Sequence, residues 1–302
     1  MFFTDHKTDN LRKAIAQSLV IMAPETLKRV QEKTTPKGDV LELARTAGVF
    51  AAKKTPDLLP YCHPIPIDGV TIHFDFPDNQ SIRVEATVMS IAKTGVEMEA
   101  LTAASIASLT IYDMLKPIDK NLEITATKLL SKKGGKSDFR EKISPTFRAA
   151  IIVTSDGTFE GKREDKSGII IKKRLEELGI QFPRYHILPD EKQEIQQLLL
   201  TLVEEKIDLI LTTGGTGLGP RDVTVEATQA IIDREIPGIT ETMRHFGQRR
   251  TPYAMLSRGL AGQKGNSLII NLPGSSKGAK ESLDALLPAL LHAYPMMKGG
   301  GH

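Results

Sequence analysis

Residues 212–224 read TTGGTGLGPRDVT, and the flanks of this stretch decide the fold of half the chain. KIDLIL (206–211) enters it as an apolar segment of strand length, and VEATQAIID (225–233) leaves it with helical spacing. A strand that runs through a glycine-rich loop into a helix offers backbone N–H groups and a positive dipole end, which together hold a phosphate. The pattern recurs. AAIIVTS (149–155) leads through a loop to the helix SGIIIKKRLEELG (167–179), and SLIINLP (267–273) leads through GSSKG (274–278) to another helix. Three such units with apolar strands predict an α/β three-layer domain whose mainly parallel sheet is covered on both faces. Ligands in such sheets bind at the carboxyl ends of the strands, where all three loops fall.

Upstream the texture changes. SKKGGKSDFREKISPT (131–146) carries glycine, serine, proline and a run of lysine and arginine with almost nothing apolar, and reads as a junction between a domain at 1–140 and one at 141–302. Before it, helical patterns occupy 9–22, 24–32 and 38–54. VTIHFDF (70–76) and SIRVEATVMS (81–90) alternate as strands about the turn Pro77-Asp78-Asn79-Gln80. A long helix spans 97–116, stopped by Pro117, and a strand follows at 121–130. Hairpin strands with helices collected together predict an α+β domain resembling a ferredoxin-like sandwich.

Bulk properties exclude several classes. The 302 residues are 40% hydrophobic and 25% charged, as in ordinary globular domains, and a net charge of +3 is too small for a nucleic-acid protein. No basic helix or aromatic–basic interleaving points to nucleic acid either. The single cysteine, Cys62, permits no internal disulfide, and MFFTDHKTDN turns polar at once, unlike a signal peptide. No apolar run approaches the roughly 20 residues of a membrane span. The expectation is a cytoplasmic enzyme of two domains. The tail MMKGGGH (296–302) reads as a disordered end.

In the C-terminal half, Gly214, Gly215, Thr216 and Gly217 form either a phosphate-binding loop or a bare tight turn. No Gly-Lys-Ser/Thr closes it, and the spacing is not G-x-G-x-x-G. Asp222 lies just ahead of the next helix, as a turn residue or a metal ligand. Asp190, with Gln193 three residues on, fits a capping box; the alternative is a second carboxylate for a magnesium–nucleotide site, with Lys277 adding positive charge.

TSDGTFEGKREDKSG (154–168), PDE (189–191), TTGGTGLGPRDVTVEAT (212–228) and NLPGSSKG (271–278), in this order, resemble the MogA/MoaB family of molybdenum-cofactor biosynthesis over about 148–290. The resemblance implies binding of molybdopterin, a dithiolene pterin phosphate, and adenylyl transfer to it from Mg-ATP. It implies that Asp190 and Asp222 serve the magnesium–nucleotide step. By the same resemblance Ser155, Asp156, Gly214, Gly215, Thr216, Gly217 and Ser275 bind substrate.

In the N-terminal half, Thr102, Ile106, Leu109, Asp113 and Lys116 share one face of the long helix, while Ala103, Ala104, Ser105, Ala107 and Ser108 are small enough for another helix to approach. Asp113 and Lys116 are either an i,i+3 surface ion pair or an acid–base pair at a cleft. The first turn carries Glu97, Met98 and Glu99, and its two acids are ordinary partners of the dipole. LPYCHPIP (59–66) fixes His63 between prolines, where its ring is either structural or turned to a phosphate.

PKGDVLELARTAG (36–48), LPYCHPIP, KTGVEMEALTAAS (93–105) and TIYDMLK (110–116) closely resemble the MoaC family, cyclic pyranopterin monophosphate synthase, over roughly 10–140. The resemblance implies conversion of a cyclised dihydro-GTP intermediate to cyclic pyranopterin monophosphate with loss of pyrophosphate. Asp113 and Lys116 then carry acid–base work, Arg12, Lys37 and His63 contact the triphosphate, and Glu97, Met98 and Glu99 face the purine-derived rings. No cofactor is implied for this half. Both resemblances imply threefold-based assembly, a homo-oligomeric trimer or hexamer. The expectation is a bifunctional fusion serving an early and a late step of one pathway, with small-molecule partners only. The alternative is that the second half merely carries molybdopterin or assembles the first.

Overall fold

The computed structural model describes residues 2–299, so the end of the tail, 300–302, lies outside the described residues. The chain divides into two compact units, one running to Asp138 and the other starting at Phe139.

The first unit contains β1 (Asn10–Ile21), α1 (Pro24–Gln31), α2 (Val40–Leu58), β2 (Gly69–Asp75), β3 (Ser81–Ala92), α3 (Glu97–Leu115) and β4 (Glu123–Lys133). Its sheet is antiparallel throughout, in the order β2-β3-β1-β4. β1 corrects the helix expected at 9–22. The segment is rich in helix formers, but Ala14, Ala16, Ser18 and Val20 alternate into the core while apolar residues such as Ile15 and Leu19 occupy the other face. With both faces apolar, the period of two is hidden. Pairing on both edges, with β3 and with β4, overrides local propensity.

The helices follow their sequence signals. Asp39 caps α2 by accepting a hydrogen bond from the Glu42 N–H at 3.1 Å. The small residues of α3 do bring a helix close: a Cβ at Gly48 of α2 would lie 3.1 Å from the Ala103 carbonyl and 3.3 Å from the Ala107 Cβ. Ala100, Ala103, Ala104, Ala107, Ile111 and Leu115 form the buried stripe of α3. Leu109, Asp113 and Lys116 are left on its exposed side.

The second unit contains β5 (Ala149–Thr154), α4 (Asp156–Phe159), α5 (Ser167–Glu177), β6 (Arg184–Leu188), α6 (Lys192–Glu204), β7 (Leu209–Thr213), α7 (Thr224–Gln229), β8 (Arg234–Glu235), α8 (Pro237–Gln248), β9 (Ala261–Lys264), β10 (Ser267–Leu272), α9 (Ser276–Leu286) and α10 (Ala293–Met297). The sheet order is β6-β5-β7-β10-β9-β8, parallel from β6 to β10 and antiparallel at β9 and β8. Alternate residues of the central strands feed two cores. Ile151, Leu211 and Ile270 pack with Ile171 and Leu283 of α5 and α9, whereas Ile152, Ile210 and Ile269 pack with Ile195 and Leu199 of α6. This α/β sandwich leaves the loops after β5, β6, β7 and β10 together at one edge.

Candidate active sites

Below the glycine loop, buried polar groups tie the sheet to the next helix. Asn271 Nδ2 donates to both Thr212 Oγ1 and Thr228 Oγ1 at 2.9 Å, and the Thr154 and Thr224 hydroxyls meet at 2.9 Å. The loop packs tightly on this base. Gly214 has φ 106°, and a Cβ there would stand 2.1 Å from the Thr154 carbonyl. Gly215 has φ 62°, with a Cβ 2.1 Å from Thr224 Oγ1. Both positions require glycine.

Three neighbouring loops interlock around two aspartates. The Asp156 N–H donates to Asp190 Oδ2 at 3.1 Å, and the Asp190 N–H donates to Asp156 Oδ1 at 2.9 Å. Arg221 grips Asp156 with two nitrogens at 3.0 and 2.9 Å and reaches Glu191 at 2.7 Å. The capping-box expectation for Asp190 is thereby corrected: α6 begins after Glu191, with no side-chain cap, and the Asp190 carboxylate is turned toward β5 instead. Its Oδ1 is buried without a partner, and burial, reinforced by nearby Asp156 and Asp222, pushes its pKa above the usual carboxylate range. Asp222 acts in the turn, Oδ2 accepting from the Gly219 N–H at 2.8 Å.

Asp190 and Asp222 line a cleft of about 670 Å³, with Ser155, Gly215 and Ser275 on its walls. Ser155 and Ser275 cap α4 and α9, accepting from the Thr158 and Gly278 N–H groups. Gly214, Thr216 and Gly217 continue the same loop. Lys277, expected to add charge here, is exposed and leans toward Glu281 at 4.0 Å. The cations on the cleft are Arg163 and Lys166.

In the first unit the expected residues form two groups. At the C-terminal end of α3, Asp113 sits between two ammoniums: Lys116 Nζ at 2.7 Å from Oδ1 and Lys37 Nζ at 3.2 Å from Oδ2. They hold its pKa below the usual range, and Asp113 in turn raises that of Lys116. Lys37 also donates to the Asp113 carbonyl at 2.9 Å.

The other end of α3 carries the second group. Glu99 is 1% exposed, accepts from Cys62 Sγ at 3.4 Å, and has an Oε2 with no partner. Burial raises its pKa, while burial and the Glu99 charge push the Cys62 thiol up to about 11. Glu97 pairs with Lys132 at 3.2 Å, and Met98 is exposed. Arg12 is buried, its guanidinium donating to the Ala92 and Lys93 carbonyls at 3.1 and 3.3 Å. His63 Nε2 lies 2.8 Å from the Phe2 carbonyl. Asp113 stands fourteen residue steps along the helix from Glu99, about 21 Å along the axis, so one chain does not bring the two groups together.

Comparison with known proteins gives both halves a family. Residues 1–135 match the MoaC family, and residues 150–292 match a probable molybdopterin binding domain. A molybdenum cofactor biosynthesis bifunctional protein from Chlorobaculum tepidum is 44% identical over 296 residues, covering 98% of this chain and 94% of the relative. The chain belongs to the family of bifunctional molybdenum cofactor biosynthesis proteins. A protein of the same description from Synechococcus elongatus is 40% identical, with 96% of this chain and 95% of the relative covered. A cyclic pyranopterin monophosphate synthase from Brevibacillus brevis is 53% identical over 126 residues, 42% of this chain and 79% of the relative.

Both halves of this family member serve molybdenum cofactor biosynthesis. Sequence reasoning missed Arg163, Lys166 and Arg221, although all three stand inside motifs quoted for the resemblance, and Arg221 directly precedes Asp222. No helix among the described residues is long and apolar enough to cross a membrane.

Proposed function

We propose that the first half converts a cyclised dihydro-GTP intermediate to cyclic pyranopterin monophosphate, and that the second adenylylates molybdopterin. The observation that carries the second activity is Asp190: it lines the cleft with Asp222, and its buried Oδ1 has no partner. Among the described residues no three His, Cys, Asp or Glu side chains are placed to hold a metal ion by themselves. Two carboxylates suit Mg²⁺, which keeps water and takes substrate phosphate oxygens as its other ligands. Bound with ATP, Mg²⁺ supplies charge neutralisation across the phosphates.

The protein's own groups do the rest. The loop amides of Gly214, Gly215, Thr216 and Gly217, with Arg163 and Lys166, receive phosphate charge, and Ser155 and Ser275 orient the pterin phosphate. That phosphate attacks the α-phosphorus of ATP; a P–O–P bond forms, the α–β bond breaks and pyrophosphate leaves. A product assay with molybdopterin and Mg-ATP tests this reading. Adenylylated molybdopterin is expected from the wild type and not from Asp222→Ala. Tight pterin binding without product in either protein would leave the domain a carrier.

In the first half, Asp113 between Lys37 and Lys116 carries the reading, since rearranging a guanine into a pterin moves protons and expelling pyrophosphate requires cations. Arg12, Lys37 and His63 are assigned to the triphosphate, and Glu97, Met98 and Glu99 to the rings. The roughly 21 Å along α3 between Glu99 and Asp113 supports a homo-oligomer, trimer or hexamer, in which one copy's Asp113 group completes another's Glu99 group. Co-expressed Asp113→Asn and Glu99→Gln chains are then expected to recover part of the wild-type turnover that each variant alone loses. No recovery from a verified mixed oligomer would contradict shared sites.

The finer fold assignment also belongs to this reading. A β-α-β-β-α-β succession with strand order β2-β3-β1-β4 supports a ferredoxin-like first domain. We place the domain division at 140/141 within the basic junction, and the protein in the cytoplasm, where its lone Cys62 stays reduced.

A further inference from the structure

The glycine loop is held from its outer side by one residue that belongs to none of the quoted motifs. Arg258 precedes β9, and its backbone N–H donates to the Thr216 carbonyl at 3.0 Å. Its guanidinium donates from Nε to the Gly217 carbonyl and from Nη2 to the Asp222 carbonyl, both at 2.6 Å, and pairs through Nη1 with Glu226 in α7. One residue thus ties the middle of the loop, its end and the following helix.

We propose that Arg258 is a positioning residue that sets the loop amides and the Asp222 carboxylate for the magnesium–nucleotide complex. The inference rests on the adenylyl-transfer reading of this cleft. Its physical ground is the division of the loop's polar groups. A segment rich in glycine has many backbone states, and ordering each residue costs conformational entropy. Fixing the carbonyls of residues 216, 217 and 222 to Arg258 orients their peptide planes, so N–H groups of the same planes are directed away from the arginine. Gly219 N–H then meets Asp222 Oδ2 at 2.8 Å, which holds the carboxylate over the loop. Glu226 neutralises the guanidinium, and this pairing, against burial, keeps the Glu226 carboxyl below its usual range. Arg258 therefore lends geometry to the site, whereas Arg163 and Lys166 lend charge.

The test compares wild type, Arg258→Gln, Arg258→Lys and Asp222→Ala by direct binding of Mn-ATP and of molybdopterin, and by amide hydrogen exchange over 212–224 in the nucleotide-free protein. Loss of a residue that orients metal ligands weakens metal affinity by about 10–100-fold. Arg258→Gln is expected to raise the Kd for Mn-ATP by that factor and to speed loop exchange, with molybdopterin affinity changed by less than about threefold. Arg258→Lys keeps the charge but not the three-way fork, and is expected to recover only part of the loss. Should Arg258→Gln fail to fold, Glu226→Gln, which frees the guanidinium at its far end, must show the same selective loss to a smaller degree. Wild-type Mn-ATP affinity in a folded Arg258→Gln protein overturns the proposal alone. A wild-type protein that binds no Mn-ATP overturns the adenylyl-transfer reading and the proposal with it. Equal losses for Mn-ATP and molybdopterin would mark Arg258 as merely structural.

Discussion

Asp113→Asn lowers the turnover of cyclic pyranopterin monophosphate formation by about 10²–10⁴-fold, the range for removal of a general acid–base group. The two flanking lysines define the expected pH profile. Lys116 and Lys37 hold the Asp113 carboxylate ionised to lower pH than an ordinary aspartate, and Asp113 keeps Lys116 protonated to higher pH. The plateau of activity is therefore wide on both sides. Lys37→Met removes one of the two cations, so the acid limb should move toward neutrality while the alkaline limb, set by Lys116, stays in place. Steady-state rates of pyrophosphate release from about pH 3 to about pH 11, beyond the ordinary pKa values of aspartate and lysine, check this, with adenylyl transfer by the same preparation as the internal standard. Unaltered pyrophosphate release in Asp113→Asn would reduce the pair to the surface ion bridge that its spacing also allows.

The second large effect separates activity from stability. Asp190→Asn lowers adenylyl transfer by at least about 10²-fold, because the buried Oδ1 is lost as an anionic ligand for the metal. The same change should stabilise the ligand-free protein at neutral pH. Burial raises the folded-state pKa of Asp190 above its unfolded value, so its stabilising contribution is present below the unfolded pKa and is lost as pH rises through the folded pKa. At pH 7 the fold keeps a carboxylate charge that burial and the nearby Asp156 and Asp222 disfavour, and the neutral amide relieves that charge, so a small rise in Tm is expected. Thermal unfolding at pH 7 and again near pH 3 checks the sign: the gain of the variant should shrink in acid. A variant that is both less stable and fully active would contradict the assignment. The stability cost marks a group kept for binding, not for folding.

The parts legible in sequence were those with local periodicity or local backbone demand. The loop at 212–224 could be placed because apolar strand, glycine cluster and helix follow one another without interruption. α3 could be placed because its small residues and its stop at Pro117 lie within a few turns. β1 could not, since apolar residues on both faces hide the period of two and the two strands that pair with it, β3 and β4, arrive much later in the chain. Asp190 shows a different failure: Asp-x-x-Gln matches a capping box by spacing, yet its carboxylate bonds Asp156, 34 residues away. Arg258 had no signal at all, for its partners stand up to 41 residues upstream and nothing in its own neighbourhood speaks of a ligand. The separation of Glu99 from Asp113 was present in the sequence as a helix length, but only the continuity of α3 turns it into a distance.

On the proposed function, one chain carries two independent catalytic sites. The most direct measurement supplies one purified preparation with the cyclised dihydro-GTP intermediate, molybdopterin and Mg-ATP, and quantifies both products in wild type, Asp113→Asn and Asp190→Asn. Both products are expected from the wild type, only adenylylated molybdopterin from Asp113→Asn, and only cyclic pyranopterin monophosphate from Asp190→Asn. Loss of both products in either variant, with the fold intact, or a wild type that makes only one, would contradict it.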